Sequence, residues 1–171
     1  MDPDVFPNTL EYWGPTGMVF FRNIQLRYMA LKTDTQSATI AIERPGASGD
    51  GGVYADRVEL QNVKARFPMP DFTGQYTTMG DWGYARVAGV LRKMNWDDVL
   101  DDQFDLSGDA VGWGLNLSTN LKPGKNDVIR ASVLFGEGIQ NYMNDSPVDV
   151  GIVNQFSNPV SPIRGDTIPI F

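Results

Sequence analysis

Val111-Gly112-Trp113-Gly114-Leu115-Asn116-Leu117-Ser118-Thr119-Asn120-Leu121 alternates bulky apolar residues with glycine and small polar ones. Val111, Trp113, Leu115, Leu117, Thr119 and Leu121 share one phase; Gly112, Gly114, Asn116, Ser118 and Asn120 share the other. Successive side chains of a β-strand point to opposite faces, so this stretch reads as a strand with one apolar and one polar side. It runs for roughly ten residues, against the usual five or six, which is the length of a strand that crosses a bilayer at a tilt.

The same period of two recurs on either side. Ile129, Ala131, Val133 and Phe135 stand against Arg130, Ser132 and Gly136. Upstream, Ala85, Val87, Gly89 and Leu91 oppose Arg86, Ala88, Val90 and Arg92, and Ile24, Leu26, Tyr28 and Ala30 oppose Asn23, Gln25, Arg27 and Met29. A shorter strand is expected from Ala38 to Arg44 with Ile40 and Ile42 on its apolar side, and another between Val58 and Thr78, interrupted by Pro68 and Pro70. The connections alternate in length. Lys32 to Ser37, Met79 to Asp81 and Lys122 to Asp127 are short and carry turn residues, whereas Pro45 to Asp56, Asp97 to Asp109 and Gln140 to Arg164 are long. Tight turns at one end and extended loops at the other are the habit of outer-membrane barrels. The expectation is an all-β chain, an antiparallel up-and-down meander of about six strands forming part of a transmembrane β-barrel. Within 1–171, residues 1–17 read as loop, 18–139 as the strands, and 140–171 as a long loop with the start of a further strand. Six strands do not close a membrane barrel, because single-chain bacterial barrels begin at eight and an open edge in lipid is costly.

Composition narrows the chemistry. The 171 residues include 14 Lys plus Arg and 21 Asp plus Glu, a formal charge of -7, with no histidine and no cysteine. Zinc hydrolases, Ser-His-Asp enzymes and cysteine proteases are thereby excluded. No basic stripe suggests nucleic acid. Mean hydropathy is -0.26 and no apolar run reaches the length of a membrane helix, but a β-barrel conceals its lipid-facing residues by alternation. The first residues show no basic n-region followed by an apolar h-region, so no signal peptide is expected within them.

The polar phase gathers Arg27, Arg86, Arg92 and Arg130 among Asn23, Gln25, Asn116 and Ser118. Arg86 and Arg92 are six apart and therefore point the same way. Of the acidic residues only Glu43 and Glu137 fall within clear strands; most others sit in loops. The wall is thus expected to be basic, and arginine rings favour anions in pores. The bland reading is a solvated sheet face whose arginines pair with loop aspartates. The cluster Asp97, Asp98, Asp101, Asp102, Asp105 and Asp109 could hold calcium, but its spacing is not that of an EF-hand. Gly46-Ala47-Ser48-Gly49-Asp50-Gly51-Gly52 lacks the Lys-Ser/Thr ending of a phosphate loop. Trp82, Trp96 and Trp113 lie near strand ends, as in an interfacial aromatic girdle. No metal or cofactor is expected.

Asp2-Pro3-Asp4-Val5-Phe6-Pro7-Asn8-Thr9-Leu10-Glu11-Tyr12-Trp13-Gly14-Pro15 resembles the constriction-loop region of DcaP-like outer-membrane porins of Gram-negative bacteria. Glu43-Arg44-Pro45-Gly46, Ala65-Arg66-Phe67-Pro68, Asp101-Asp102-Gln103-Phe104-Asp105 and Gly136-Glu137-Gly138-Ile139-Gln140-Asn141-Tyr142 extend the likeness over the chain. Such porins are homotrimers of sixteen-stranded barrels that pass small solutes and lean toward anionic dicarboxylates. The resemblance implies an internal segment of such a barrel in the outer membrane, with strands before Met1 and after Phe171. It further implies that 1–17 folds into the pore, with Asp4, Glu11, Tyr12 and Trp13 facing Arg27, Arg86, Arg92 and Arg130. Negative loop against positive wall would give a transverse field.

Two further readings stand beside a passive, anion-leaning channel without catalysis. The apolar phase could face the core of a soluble β-sandwich that binds carbohydrate through its aromatics. An outer-membrane lipase is disfavoured, since no histidine is present to activate a serine.

Overall fold

A computed structural model of the chain describes residues 23–46, 49–50, 63–66, 68–99, 107–139, 142, 150–154 and 163–169. These form ten strands: β1 (Gln25–Lys32), β2 (Gln36–Glu43), β3 (Gly49–Asp50), β4 (Val63–Arg66), β5 (Asp71–Gly80), β6 (Gly83–Asp98), β7 (Gly108–Leu121), β8 (Ile129–Glu137), β9 (Val150–Asn154) and β10 (Ile163–Pro169). Six of them build one open antiparallel sheet in the order β1-β2-β5-β6-β7-β8, and β4 adds to the far end of β6. The expected all-β meander is therefore present. A separate three-stranded sheet, β10-β9-β3, takes the rest.

Where the sequence marks short turns, the backbone turns tightly. Thr33 accepts the Gln36 N–H through its hydroxyl at 2.9 Å, which closes β1 onto β2. Asp81 and Trp82 alone join β5 to β6, with Gly83 at φ 116. That conformation suits glycine, and a Cβ there would lie 1.8 Å from the Asn120 carbonyl oxygen.

The register carries one apolar face across all six strands. Leu26, Ile42, Phe72, Leu91 and Trp113 follow one another strand by strand, as do Ala38, Tyr76, Val87, Leu117 and Val133. This face is open: Leu26 is 72% exposed, Val133 58% and Leu117 45%. The opposite face buries polar groups instead, among them Thr39, Asp71, Thr77, Arg92 and Ser118. Among the described residues the buried apolar side chains are few, Ala41, Met94, Trp96 and Ile139, and of these Met94 and Trp96 cluster with Ala110 packed beside them. Among the described residues of this sheet the apolar side is the open one and the polar side the more buried, the reverse of a water-soluble domain.

Several expectations need correction. β6 continues to Asp98 and β7 begins at Gly108, so Asp97, Asp98 and Asp109 are strand residues rather than loop. Asp97 pairs with Arg66 and Asp109 with Lys93, so salt bridges rather than a metal account for these two carboxylates. Asp101, Asp102 and Asp105 lie outside the described residues, and no described group has the makings of a metal site. The strand expected between Val58 and Thr78 is two, β4 and β5, separated at the prolines. A register shift between Met29 and Leu31 makes Ala30 the extra residue and sets Leu31, not Ala30, against Ala38. Trp96 is not part of an exposed girdle, being 3% exposed in the small core, while Trp82 and Trp113 are open at 44% and 42%.

Candidate functional site: a polar face crossed by the segment after β8

The polar face is furnished by alternate residues of every strand of the meander. Pairing places Arg27 beside Ala41, Ala41 beside Thr73, Gln75 beside Ala88, Ala88 beside Asn116 and Asn120 beside Arg130. A cavity of about 350 Å³ lies against it, lined from β1 (Gln25, Arg27), β2 (Thr39, Glu43), β5 (Thr73, Gln75), β6 (Ala88, Val90), β7 (Asn116) and β8 (Leu134). Contributions from six neighbouring strands to one hollow mean that the sheet curls with its polar side inward.

After β8 the chain crosses this hollow. Gly138 and Ile139 are buried, Ile139 at 2%, and the Tyr142 N–H donates to the Ile139 carbonyl at 2.9 Å. The crossing depends on missing side chains below it. A Cβ on Gly112 would stand 2.7 Å from the Gly138 carbonyl oxygen and 2.9 Å from Arg92 Cγ, and one on Gly114 would stand 2.4 Å from Ile139 Cδ1. Glycine in the polar phase of β7 therefore marks a close approach of backbone.

An ionic latch holds the crossing down. The Arg92 guanidinium lies 3.2 Å (Nε) from Asp71 Oδ2, both side chains fully buried, and its Nη1 donates to the Gly138 carbonyl at 3.2 Å. Tyr142 donates its hydroxyl to the same Asp71 oxygen at 2.8 Å, and the Arg92 guanidinium sits 5.2 Å from the centre of the Tyr142 ring. Burial, and then the negative charge of Asp71, push the Tyr142 phenol above its ordinary range, so it stays a donor. Next to this, the Thr73 hydroxyl donates to Glu43 Oε1 at 2.6 Å.

The four arginines share the polar side but differ in state. Arg27 has no hydrogen bond or ion pair among the described residues and faces the cavity. Arg86 donates through Nε to Thr77 Oγ1 at 2.9 Å and lies 5.4 Å from the Tyr84 ring centre. Arg130, opposite Asn120, is exposed. Arg92 is 2% exposed and neutralised by Asp71, so it is not an open wall cation. Asp4, Glu11, Tyr12 and Trp13 lie outside the described residues. Asp71 and Tyr142 escaped the sequence reading: Asp71 follows the proline break, and Tyr142 stands in what reads as loop.

The crystal structure of the outer membrane channel DcaP of Acinetobacter baumannii is similar to this chain, with a TM-score of 0.62 over 84% of this chain and 36% of that one, at 16% identity. The likeness is one of fold. It supports a porin-like sheet, and the chain spans well under half the length of that channel. No family model matches the sequence, and no curated protein matches it either.

Proposed function

We propose that this chain is a segment of an outer-membrane β-barrel that lets small hydrophilic solutes diffuse passively, with a leaning toward anionic dicarboxylates. It would act without catalysis or cofactor, in a barrel that is homotrimeric when full-length. One observation carries the reading: the apolar phase is uncovered across six strands and meets charge only at its rim, at Glu137 beside Trp113 and at Lys93 beyond Leu91, while the polar phase of the central strands is the more buried one. Soluble monomers rarely expose so continuous an apolar surface. Its height also fits. From Gly83 to Leu91, where Lys93 then begins the charged end, the strand runs about 27 Å at ~3.4 Å per residue, or about 20 Å of height at a barrel's tilt. Outer-membrane barrels carry an apolar band about 25 Å tall. Arg27, Arg86 and Arg130 are the wall cations from which the anion leaning follows, and Asp4, Glu11, Tyr12 and Trp13 are the proposed opposing lining.

The chain has no cysteine, so single substitutions report cleanly. With the protein in liposomes, Gln75→Cys is expected to react with a water-soluble maleimide and Val133→Cys to be protected. Protection reversed between the two would overturn the lumen assignment. Equal reactivity of a chain that stays monodisperse in plain buffer would instead favour a soluble sandwich.

A further inference from the structure

Arg27 and Glu43 are diagonal neighbours on the polar face. Gln25 pairs with Glu43 and Arg27 with Ala41, which puts the two charged positions roughly 7–8 Å apart along adjoining strands. Both line the same cavity, yet they form no ion pair with each other. Among the described residues Arg27 has no hydrogen-bond or ion-pair partner, and Glu43 accepts from Thr73 through Oε1 while Oε2 makes no hydrogen bond. The side-chain amides of Gln25 and Gln75 line the same hollow and are likewise unengaged among the described residues. The Arg92–Asp71 pair nearby is internally neutralised. Asn23 and Asn116 also line the hollow but are engaged with Arg44 and Ser132, so the groups left to meet a ligand are one guanidinium, one carboxylate and the amides of Gln25 and Gln75, beside Tyr142.

This set discriminates by charge pattern. A simple anion that reaches Arg27 comes up beside the Glu43 carboxylate, which offsets part of the attraction. A cation that reaches Glu43 meets Arg27. A small molecule bearing both a carboxylate and an ammonium turns both encounters into charge-assisted hydrogen bonds. We propose that this cavity is a binding subsite for a small amino acid, its carboxylate on Arg27 and its ammonium on Glu43, with Gln25 and Gln75 orienting it. The volume of about 350 Å³ is at the small end of ligand pockets and suits such a molecule. The inference rests on the lumen reading above and narrows its solute class, from dicarboxylates in general toward those that also carry an amino group.

Succinate and L-aspartate differ by one ammonium group and make the decisive pair. The full chain in detergent micelles is titrated with each, and binding is read from the side-chain amide NMR signals of Gln25 and Gln75. L-Aspartate is expected to bind about tenfold more tightly than succinate, the effect of one added charge-assisted bond. Glu43→Gln keeps an oxygen to accept from Thr73 and is expected to erase that ratio while leaving succinate binding intact or improved. Arg27→Gln is expected to weaken both ligands together. Succinate binding as tightly as L-aspartate, a ratio unmoved by Glu43→Gln, or no shift with either ligand would each overturn the subsite. The maleimide pattern at Gln75 and Val133 is independent of these titrations, so failure of the subsite and failure of the lumen reading are separable.

Discussion

The Tyr142 hydroxyl donates to Asp71 Oδ2 across 2.8 Å, although 71 residues separate the two in sequence. The bond carries the segment after β8 over β7 and β6 to the first residue of β5, and the buried Arg92 guanidinium closes the triangle. Tyr142→Phe keeps the ring over Arg92 but removes the donor from a buried carboxylate. The expected cost is about 1–3 kcal/mol, seen as a lower midpoint of urea unfolding in detergent. An unmoved midpoint would mean that the bond does not hold the crossing segment.

The same phenol sets a pH limit. Its folded value lies above the ordinary one because it is buried and faces Asp71, so the unfolded chain loses this proton first. Its stabilising contribution is therefore complete below about pH 10, the ordinary tyrosine value, and declines as pH rises beyond it. The wild-type midpoint should fall more steeply above about pH 10 than that of Tyr142→Phe. The remaining tyrosines are common to both proteins and cancel in the comparison. Parallel curves would place Tyr142 in open solvent.

Two glycines of the meander should respond oppositely to a methyl group. At Gly112 the new carbon meets the Gly138 carbonyl at 2.7 Å, which is backbone and is held by Arg92. Gly112→Ala is expected to destabilise by about 1–3 kcal/mol through overpacking. At Gly89 the nearest atom is 3.6 Å away, an ordinary contact. Gly89→Ala should be neutral, or stabilising by up to about 1 kcal/mol from the reduced freedom of the unfolded chain. Equal responses in the unfolding assay would show that Gly138 does not rest on β7.

Arg86 and Arg92 occupy the same face of one strand and should fail differently. Arg86→Ala in the full-length barrel is expected to lower anion over cation permeability in bilayer recordings, with little change in stability. Arg92→Ala leaves the Asp71 carboxylate buried without its ion-pair partner and should cost about 3–5 kcal/mol. Its main readout is unfolding rather than selectivity. Unchanged reversal potentials for Arg86→Ala would count against an arginine wall.

The sheet was legible wherever apolar residues kept one phase. Val111 to Leu121, Ile129 to Phe135 and Ala85 to Leu91 pair as one face, as their alternation suggests. The reading stops at Arg92 because the pattern inverts there: Met94 and Trp96 are apolar but occupy the polar phase, while Lys93 and Asn95 occupy the other. Alternation of residue type cannot report a strand that keeps one face buried but furnishes it with polar residues at one end and apolar ones at the other. The arginines were legible as polar-phase residues, but not their differing states. Arg92 is neutralised by Asp71, the residue directly after a proline break, and covered by a segment that reads as loop. Gly112 and Gly114 were read only as polar-phase positions. Their one available signal was the absence of side chains opposite Gly136 and Gly138, which marks a place for backbone to approach.

The order of pairing also bears on assembly. β1 with β2, β5 with β6 and β7 with β8 are hairpins, joined by connections of a few residues. Each can zip from its own turn at small loop-closure cost, whereas the Tyr142–Asp71 bond must wait until three strands between them are in register. The latch is then a late event, and a fluorescence probe beside Tyr142 should lag the β-signal in circular dichroism during refolding. A chain arrested with the latch open would already have its hairpins while its central hollow stood unobstructed.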